Sequence, residues 1–275
     1  MKPEYEAHAA YIHDTFKKMY KACDNMTHKG FTLAELKQAL RSAPNRSAPG
    51  PNSITYSMIK FAGDCLLQCI CHHFNTIVNK REIPEDWTEL KIKSIYKNKG
   101  KKCDLKNQRG LFLSQTTTKI FEKMILNRIS KDLDNNISDF QNGARPNRST
   151  SDNLFIMRTA LDQYKYYNIP ATIVFYDLEK CFDKLWLRDC MVDLWESSIQ
   201  GTLWQMIFKL NEISSVKIET PAGCTNSFCV NEIVKQGTVL AAKLCSNTVD
   251  KLNNILIQTR CGIRVGEVIV PNMAF

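Results

Sequence analysis

Two aspartates, with an aromatic ring just before the second, fall within a single short stretch of this 275-residue chain, "VFYDLEKCFDKL", as Asp177, Phe182 and Asp183. Ile173, Val174, Phe175 and Tyr176 read as a buried strand that runs straight into Asp177. A carboxylate at such a place is costly unless it is paired, hydrogen-bonded or bound to a metal. Strand ends of this kind hold the metal-binding aspartates of phosphoryl-transfer enzymes, and the plainer reading is a cap on the following turn. A second group of charges lies in "KNKGKKCDLKN", where Lys97, Lys99, Lys101, Lys102 and Lys106 sit between two strand patterns and Arg109 follows. A lysine-rich hairpin tip can hold phosphates by charge, although composition alone equally describes a solvated loop. The third piece is "VKQGTVL", where Gln236-Gly237 joins a strand to a helix. Glycine lets backbone approach a ligand, and a helix start favours anions, but an ordinary turn explains it as well.

These groups need elements to place them. Residues 4–23 carry a helical stripe of Ala9, Ile12, Phe16, Met19 and Cys23. "FTLAEL" opens a second helix with a Thr32–Glu35 capping box and a Phe31–Leu36 staple, and it stops before Pro44. After a Pro- and Gly-rich loop, a third helix is expected over 56–79. "ELKIKSIY" alternates as a strand, with Leu90, Ile92 and Tyr96 opposite Lys91 and Lys93, and "RGLFL" supplies its neighbour. Helices follow over 116–134, 149–166, 186–197 and 202–210. A hairpin turns at Pro221-Ala222-Gly223, a helix starts near Thr238, and "GIRVGEVIV" forms a short hairpin. The order points to an α+β fold, helices packed on one face of a mainly antiparallel sheet.

The formal net charge of +9 favours a polyanionic partner. The start lacks a secretory apolar region, and no apolar run reaches membrane-spanning length. The eleven cysteines are scattered and read as reduced thiols of an intracellular protein. Cys65, Cys69, Cys71, His72 and His73 invite a metal reading. No second ligand pair stands at finger-like spacing, and Leu66, Ile70, Phe74 and Ile77 make a helical stripe through the cluster. That makes the thiols and imidazoles flanking groups.

Taken in order, "SAPGPNSIT", "IPEDWTELKIKSIYKNKG", "KNQRGLFLSQTTTKIFEKMILNRI", "FQNGARPNRSTSDNLF", "VFYDLEKCFDKL" and "VKQGTVL" resemble successive motifs of a reverse transcriptase of the non-LTR, LINE-like retrotransposon type. The resemblance covers residues 34–275. It implies a right-hand polymerase, with an N-terminal helical extension over 1–30, a fingers-type region with the start of the palm over 31–168, and an incomplete palm over 169–275. It implies RNA-directed DNA polymerisation on an RNA template with a DNA primer and dNTPs. It implies Mg2+, with Mn2+ as a substitute, and a nuclear or cytoplasmic ribonucleoprotein setting. By the same resemblance Asp177 is the catalytic, metal-binding acid. Phe182 gates the sugar, Lys97 and Arg109 clasp the triphosphate, and Gln236 and Gly237 lie against the nascent pair and template. Arg145 and Arg148 contact the template, and Asp183 is structural.

The sequence departs from the family pattern at "PGPNSI", "QRGLFL" and "VLAAKL", and "VIVPNMAF" approaches the position of the paired aspartates without presenting them. The 275-residue stretch alone is therefore expected to be inactive, with thumb and Asp-Asp motif absent. A catalytically silent remnant that at most binds nucleic acid is the alternative. A small-molecule phosphotransferase using Asp177 and Asp183 leaves the other motifs unexplained.

Overall fold

The computed structural model describes residues 3–45, 47–220, 223–259, 262–270 and 273. Its core forms where helical apolar stripes meet. Helix α1 (Pro3–Ala22) buries Ile12 and Phe16, and the Phe16 ring packs 5.3 Å from Trp204 and 4.6 Å from Phe208. Helix α2 (Leu33–Arg41) starts with both halves of the expected capping box. The Glu35 amide donates to Thr32 Oγ1 (3.3 Å), and the Thr32 amide donates to Glu35 Oε2 (2.8 Å). Phe31 and Leu36 are buried beside it, as a staple requires.

The single helix expected over 56–79 is two, α3 (Tyr56–Lys60) and α4 (Asp64–Lys80). Gly63 is extended at φ −64°, ψ 164° and caps α4, and Asp64 in the first turn favours the new helix start. The break resets the helical phase. Leu66, expected in the core, is 53% exposed and Ile70 only partly covered, while Leu67, Cys71, Phe74, Ile77 and Val78 are buried. Cys71 donates its thiol to the Phe31 carbonyl at 3.3 Å, and Cys65 and Cys69 face solvent. No three His, Cys, Asp or Glu groups gather as a metal site among the described residues.

The short α5 (Glu85–Thr88) leads into β1 (Glu89–Tyr96), which pairs antiparallel with β2 (Gln108–Leu113) from Lys91↔Leu113 to Tyr96↔Gln108. Leu90 is buried and Lys93 exposed, as alternation demands. Helices α6 (Thr116–Asn136), α7 (Thr150–Tyr166), α8 (Cys181–Lys184), α9 (Leu187–Glu196) and α10 (Gly201–Glu212) follow. Strand β3 (Ile213–Thr220) then returns beside β1, parallel to it, from Glu89↔Ser215 to Lys93↔Glu219. This long crossover is what a parallel pair requires. Strands β4 (Gly223–Cys224) and β5 (Phe228–Asn231) fold back antiparallel on β3, as the hairpin reading expected, although Pro221 and Ala222 of its turn lie outside the described residues. Helix α11 (Ala241–Gln258) and a separate hairpin, β6 (Ile263–Val265) with β7 (Val268–Val270), are the last elements among the described residues. The fold is thus a mixture of helices and a largely antiparallel sheet. No helix among the described residues is long and apolar enough to cross a membrane.

The buried strand expected over "ATIVFYD" does not form. Residues 170–178 are irregular, and Val174, Phe175 and Tyr176 are 63%, 81% and 88% exposed. A strand is completed by its neighbours' hydrogen bonds. Among the described residues, β6–β7 pairs only with itself and no strand hydrogen-bonds to this segment.

Candidate functional site

The β1–β2 connection is held by its own backbone. The Lys97 amide donates to the Asn107 carbonyl (2.9 Å) and Lys97 Nζ to the Lys106 carbonyl (3.2 Å). Asn107 Nδ2 donates to the Lys101 carbonyl at 3.0 Å, and Asp104 Oδ1 accepts from the Lys106 amide at 2.9 Å. The side chains of Lys99, Lys101, Lys102 and Arg109 stay exposed and, among the described residues, make no hydrogen bond or ion pair. An ordered loop therefore presents unpaired cations, the arrangement a phosphate-bearing ligand needs.

The Gln236-Gly237 turn packs against the same hairpin. The Phe112 amide of β2 donates to the Gln236 carbonyl at 2.9 Å, which occupies part of the outer edge of the sheet. Gly237 takes φ +104°, and a Cβ there would meet the Phe112 carbonyl oxygen at 3.0 Å and Leu111 Cβ at 3.7 Å. Leu111 and Arg109 share a face of β2 by strand alternation. Gln236, Gly237 and Arg109, far apart in sequence, are thus brought to one sheet edge.

Three buried groups that sequence reasoning passed over lie around this turn, and one of them, Glu122, bonds to it. Glu122 of α6 is buried and accepts from the Val239 amide at 2.9 Å, just past the turn. Burial pushes its carboxyl up to about 7 against the pull of Val239, Lys235 and Lys119. Lys235, immediately before the turn, is buried with Nζ on the Leu210 carbonyl, and burial lowers it to about 8. Lys119 donates to the Ala48 carbonyl at 3.1 Å. The signal was legible: Glu122 falls in helical register with Thr118, Ile125 and Ile129, all buried.

Arg145 and Arg148 differ in availability. Arg145 turns inward and donates to the carbonyls of Ser138 (2.8 Å), Gln141 (3.3 Å) and Asp134 (3.2 Å). Arg148 lies nearer the surface, 3.3 Å from Asp139 Oδ1. Helix α11 clamps this loop. The Ser138 amide donates to Asp250 Oδ2 at 2.9 Å, Ser246 Oγ to the Gly143 carbonyl at 2.9 Å, and Lys243 pairs with Asp134. The Lys243–Asp134 pair accounts for a lysine where the family pattern differs.

Asp177 lies in the exposed segment and makes no hydrogen bond or ion pair among the described residues. Water solvates it there, so the cost of burial invoked from the sequence does not arise. Lys180, at φ 56°, turns the chain into α8, which packs Phe182 partly against the core and leaves Asp183 exposed. No described contact joins Asp177 to the β2 edge. As a Mg2+ site the arrangement is incomplete: Asp177 offers one carboxylate, and no cluster of three metal-ligating groups exists among the described residues.

Residues 96–268 match the family described as reverse transcriptase (RNA-dependent DNA polymerase). The chain is 30% identical over 160 residues to an RNA-directed DNA polymerase from mobile element jockey of Drosophila melanogaster, covering 56% of this chain and 17% of that protein. It is 28% identical over 248 residues to the jockey protein of Drosophila funebris, covering 88% of this chain and 26% of that one. A transposon TX1 uncharacterized 149 kDa protein of Xenopus laevis is 30% identical over 154 residues, covering 56% of this chain and 12% of that protein. The chain thus spans about a quarter or less of the length of these relatives. With the motif order, the sheet-edge geometry and a match across well over half its length, this chain belongs to the reverse transcriptase (RNA-dependent DNA polymerase) family, in its non-LTR retrotransposon branch.

Proposed function

We propose that the chain supplies fingers and palm elements of an RNA-directed DNA polymerase, acting on an RNA template, a DNA primer and dNTPs. Residues 31–168 would form the fingers-type region with the start of the palm, and 169–275 palm elements, preceded by a helical extension over 1–30. The observation that carries this is the meeting of the Gln236-Gly237 turn with β2 two positions from Arg109. The two motifs that the family uses on one incoming nucleotide come from distant parts of the chain and arrive at one edge. Lys97 and Arg109 would neutralise the triphosphate, Gln236 and Gly237 would face the nascent pair, and Phe182 would limit the sugar. Arg148 would meet template phosphate, with Arg145 shaping the loop beneath it. Asp177 would be one ligand of Mg2+ or Mn2+.

The test is primer extension on an RNA template with Mg2+, using the chain continued by the palm hairpin and thumb of a relative. Asp177→Ala should abolish extension. Arg109→Ala should raise the KM for dNTP far more than it weakens primer–template binding. Equal losses of both, or extension that survives Asp177→Ala, would refute the assignment.

A further inference from the structure

We propose that Cys181 and Cys245 form an oxidisable thiol pair, a disulfide-forming site that ties the α8 turn to α11. The two sulfurs stand 3.2 Å apart, although the residues are 64 apart in sequence. A disulfide bond is about 2.05 Å long, so closure needs an approach of about 1.2 Å, within reach of side-chain rotation. Both thiols are free and only partly buried. The chain leading to Cys181, residues 170–180, is exposed throughout, and Cys181 itself is only partly buried. Cys245 is anchored from behind, because the helix around it buries Leu244, Ser246 and Asn247. A partly exposed thiol with a second fixed within contact distance is the arrangement of an attacking and a resolving thiol. By contrast, Cys23, Cys71 and Cys190 are buried, and Cys65, Cys69, Cys103, Cys224 and Cys229 are exposed.

The oxidant is hydrogen peroxide. The Cys181 thiolate attacks one peroxide oxygen, the O–O bond breaks, and the leaving hydroxide takes up the proton to give water and a sulfenic acid. The Cys245 sulfur then attacks Cys181 sulfur, the S–O bond breaks, and a second water leaves with the Cys245 proton. Two thiols lose two electrons and two protons, and one peroxide becomes two waters. Resting on the function proposed above, the bond would fix the turn between Asp177 and Phe182 to the helix that follows Gln236-Gly237. Oxidation would then restrict the segment that must adjust around metal and nucleotide.

The experiment reads the bond itself, so its failure is separable from failure of the polymerase reading. The folded chain is treated with substoichiometric hydrogen peroxide, quenched by alkylation and mapped by mass spectrometry. The expected result is a 2 Da loss, reversed by dithiothreitol, carried by one cross-linked peptide pair containing Cys181 and Cys245. It should form without accumulation of sulfenic or sulfinic Cys181, because the second thiol is already in place to resolve the first oxidation product. Cys245→Ser should instead leave Cys181 as a sulfenic acid that dimedone traps, and Cys181→Ser should leave Cys245 reduced. Cross-links spread over other cysteines at similar rates would overturn the proposal. So would oxidation of Cys181 without bond formation in the parent chain.

Discussion

Arg128 is the most heavily engaged cation in the fold, and removing it tests how the N-terminal third is fastened to α6. Its guanidinium donates to both Glu35 oxygens (2.6 and 2.9 Å) and to the Lys29 and Gly30 carbonyls, approaches His28 Nε2, and lies 4.1 Å from the Phe31 ring centre. The Arg128 and Glu35 side chains are 18% and 32% exposed, so the pair is largely but not fully withdrawn from water. The Arg128 guanidinium, with help from Thr32, holds the Glu35 carboxyl at about 2 rather than 4.5. At about 1.36 kcal/mol per tenfold, that drop is worth roughly 3.4 kcal/mol at most. Thr32 keeps its share in a variant and solvent screens the rest, leaving about 2 kcal/mol for the arginine. Removing the guanidinium from the ring face adds about 0.5–1 kcal/mol, and the two carbonyls deprived of their donor add about 1 more. Arg128→Ala should therefore cost about 3–4 kcal/mol in urea denaturation. Arg128→Lys should recover less than half of that, because an ammonium cannot serve both carboxylate oxygens and both carbonyls. A double-mutant cycle with Glu35→Gln should return a coupling of about 1.5–2 kcal/mol. The Glu35 contribution should be complete above pH 4.5 and disappear as pH falls through about 2. A loss below about 1 kcal/mol, or no coupling to Glu35, would show that this network does not fasten the elements together.

Glu122 has the opposite sign: its folded carboxyl titrates at about 7, above its ordinary 4.5, so its ionisation should erode stability as pH rises from 4.5 through 7. Glu122→Gln should flatten that dependence relative to the parent in thermal melts at stepped pH; identical profiles would argue against a buried titrating carboxyl. Gly50→Ala should cost about 2 kcal/mol or more, because a Cβ there would stand 2.4 Å from the Ser114 carbonyl oxygen and 2.5 Å from Gln115 Cα, both backbone. Unchanged denaturation midpoints would mean the 48–54 loop can move away freely. Replacing Lys99, Lys101 and Lys102 by alanine should leave stability nearly unchanged while flattening the log–log salt dependence of primer–template binding by roughly 0.7–0.9 for each phosphate no longer neutralised. An unchanged slope, measured by fluorescence anisotropy, would remove the loop from the nucleic-acid interface.

What was legible in the sequence was what neighbours a few positions apart decide. The Thr32–Glu35 box, the "ELKIKSIY" strand and the α1 stripe each depend on local geometry, and each is present in the fold, although burial along the strand alternates only at its start. What failed depended on partners. The Ile173–Tyr176 run has the composition of a buried strand, but burial and pairing come from other segments, and among the described residues none pairs with it. The α3–α4 break turned on one glycine, whose helix penalty is only about 1 kcal/mol and is easily overruled or enforced by packing. The parallel pairing of β1 with β3 joins residues more than a hundred positions apart, and no local pattern announces it.

The same distinction sorts the charges, and here it bears on function. A net charge of +9 suggested an affinity for polyanions, yet sequence does not say which cations are free to act. Lys119, Lys235 and Lys243 are buried on carbonyls or a carboxylate, Arg128 and Arg145 fasten loops, and Arg188 is bound to Glu232. These groups hold the fold and contribute only distant field to a ligand. Lys99, Lys101, Lys102 and Arg109 are exposed without a described partner, gathered on one hairpin whose edge also receives Gln236 and Gly237. Coulomb attraction to a phosphate falls steeply once the distance passes a Debye length of about 8 Å in physiological salt. On the function proposed above, the short-range part of the interaction would come from this cluster rather than from the chain's overall charge. Substituting the buried lysines should consequently change melting and leave the salt slope of binding intact, whereas substituting the hairpin cations should do the reverse.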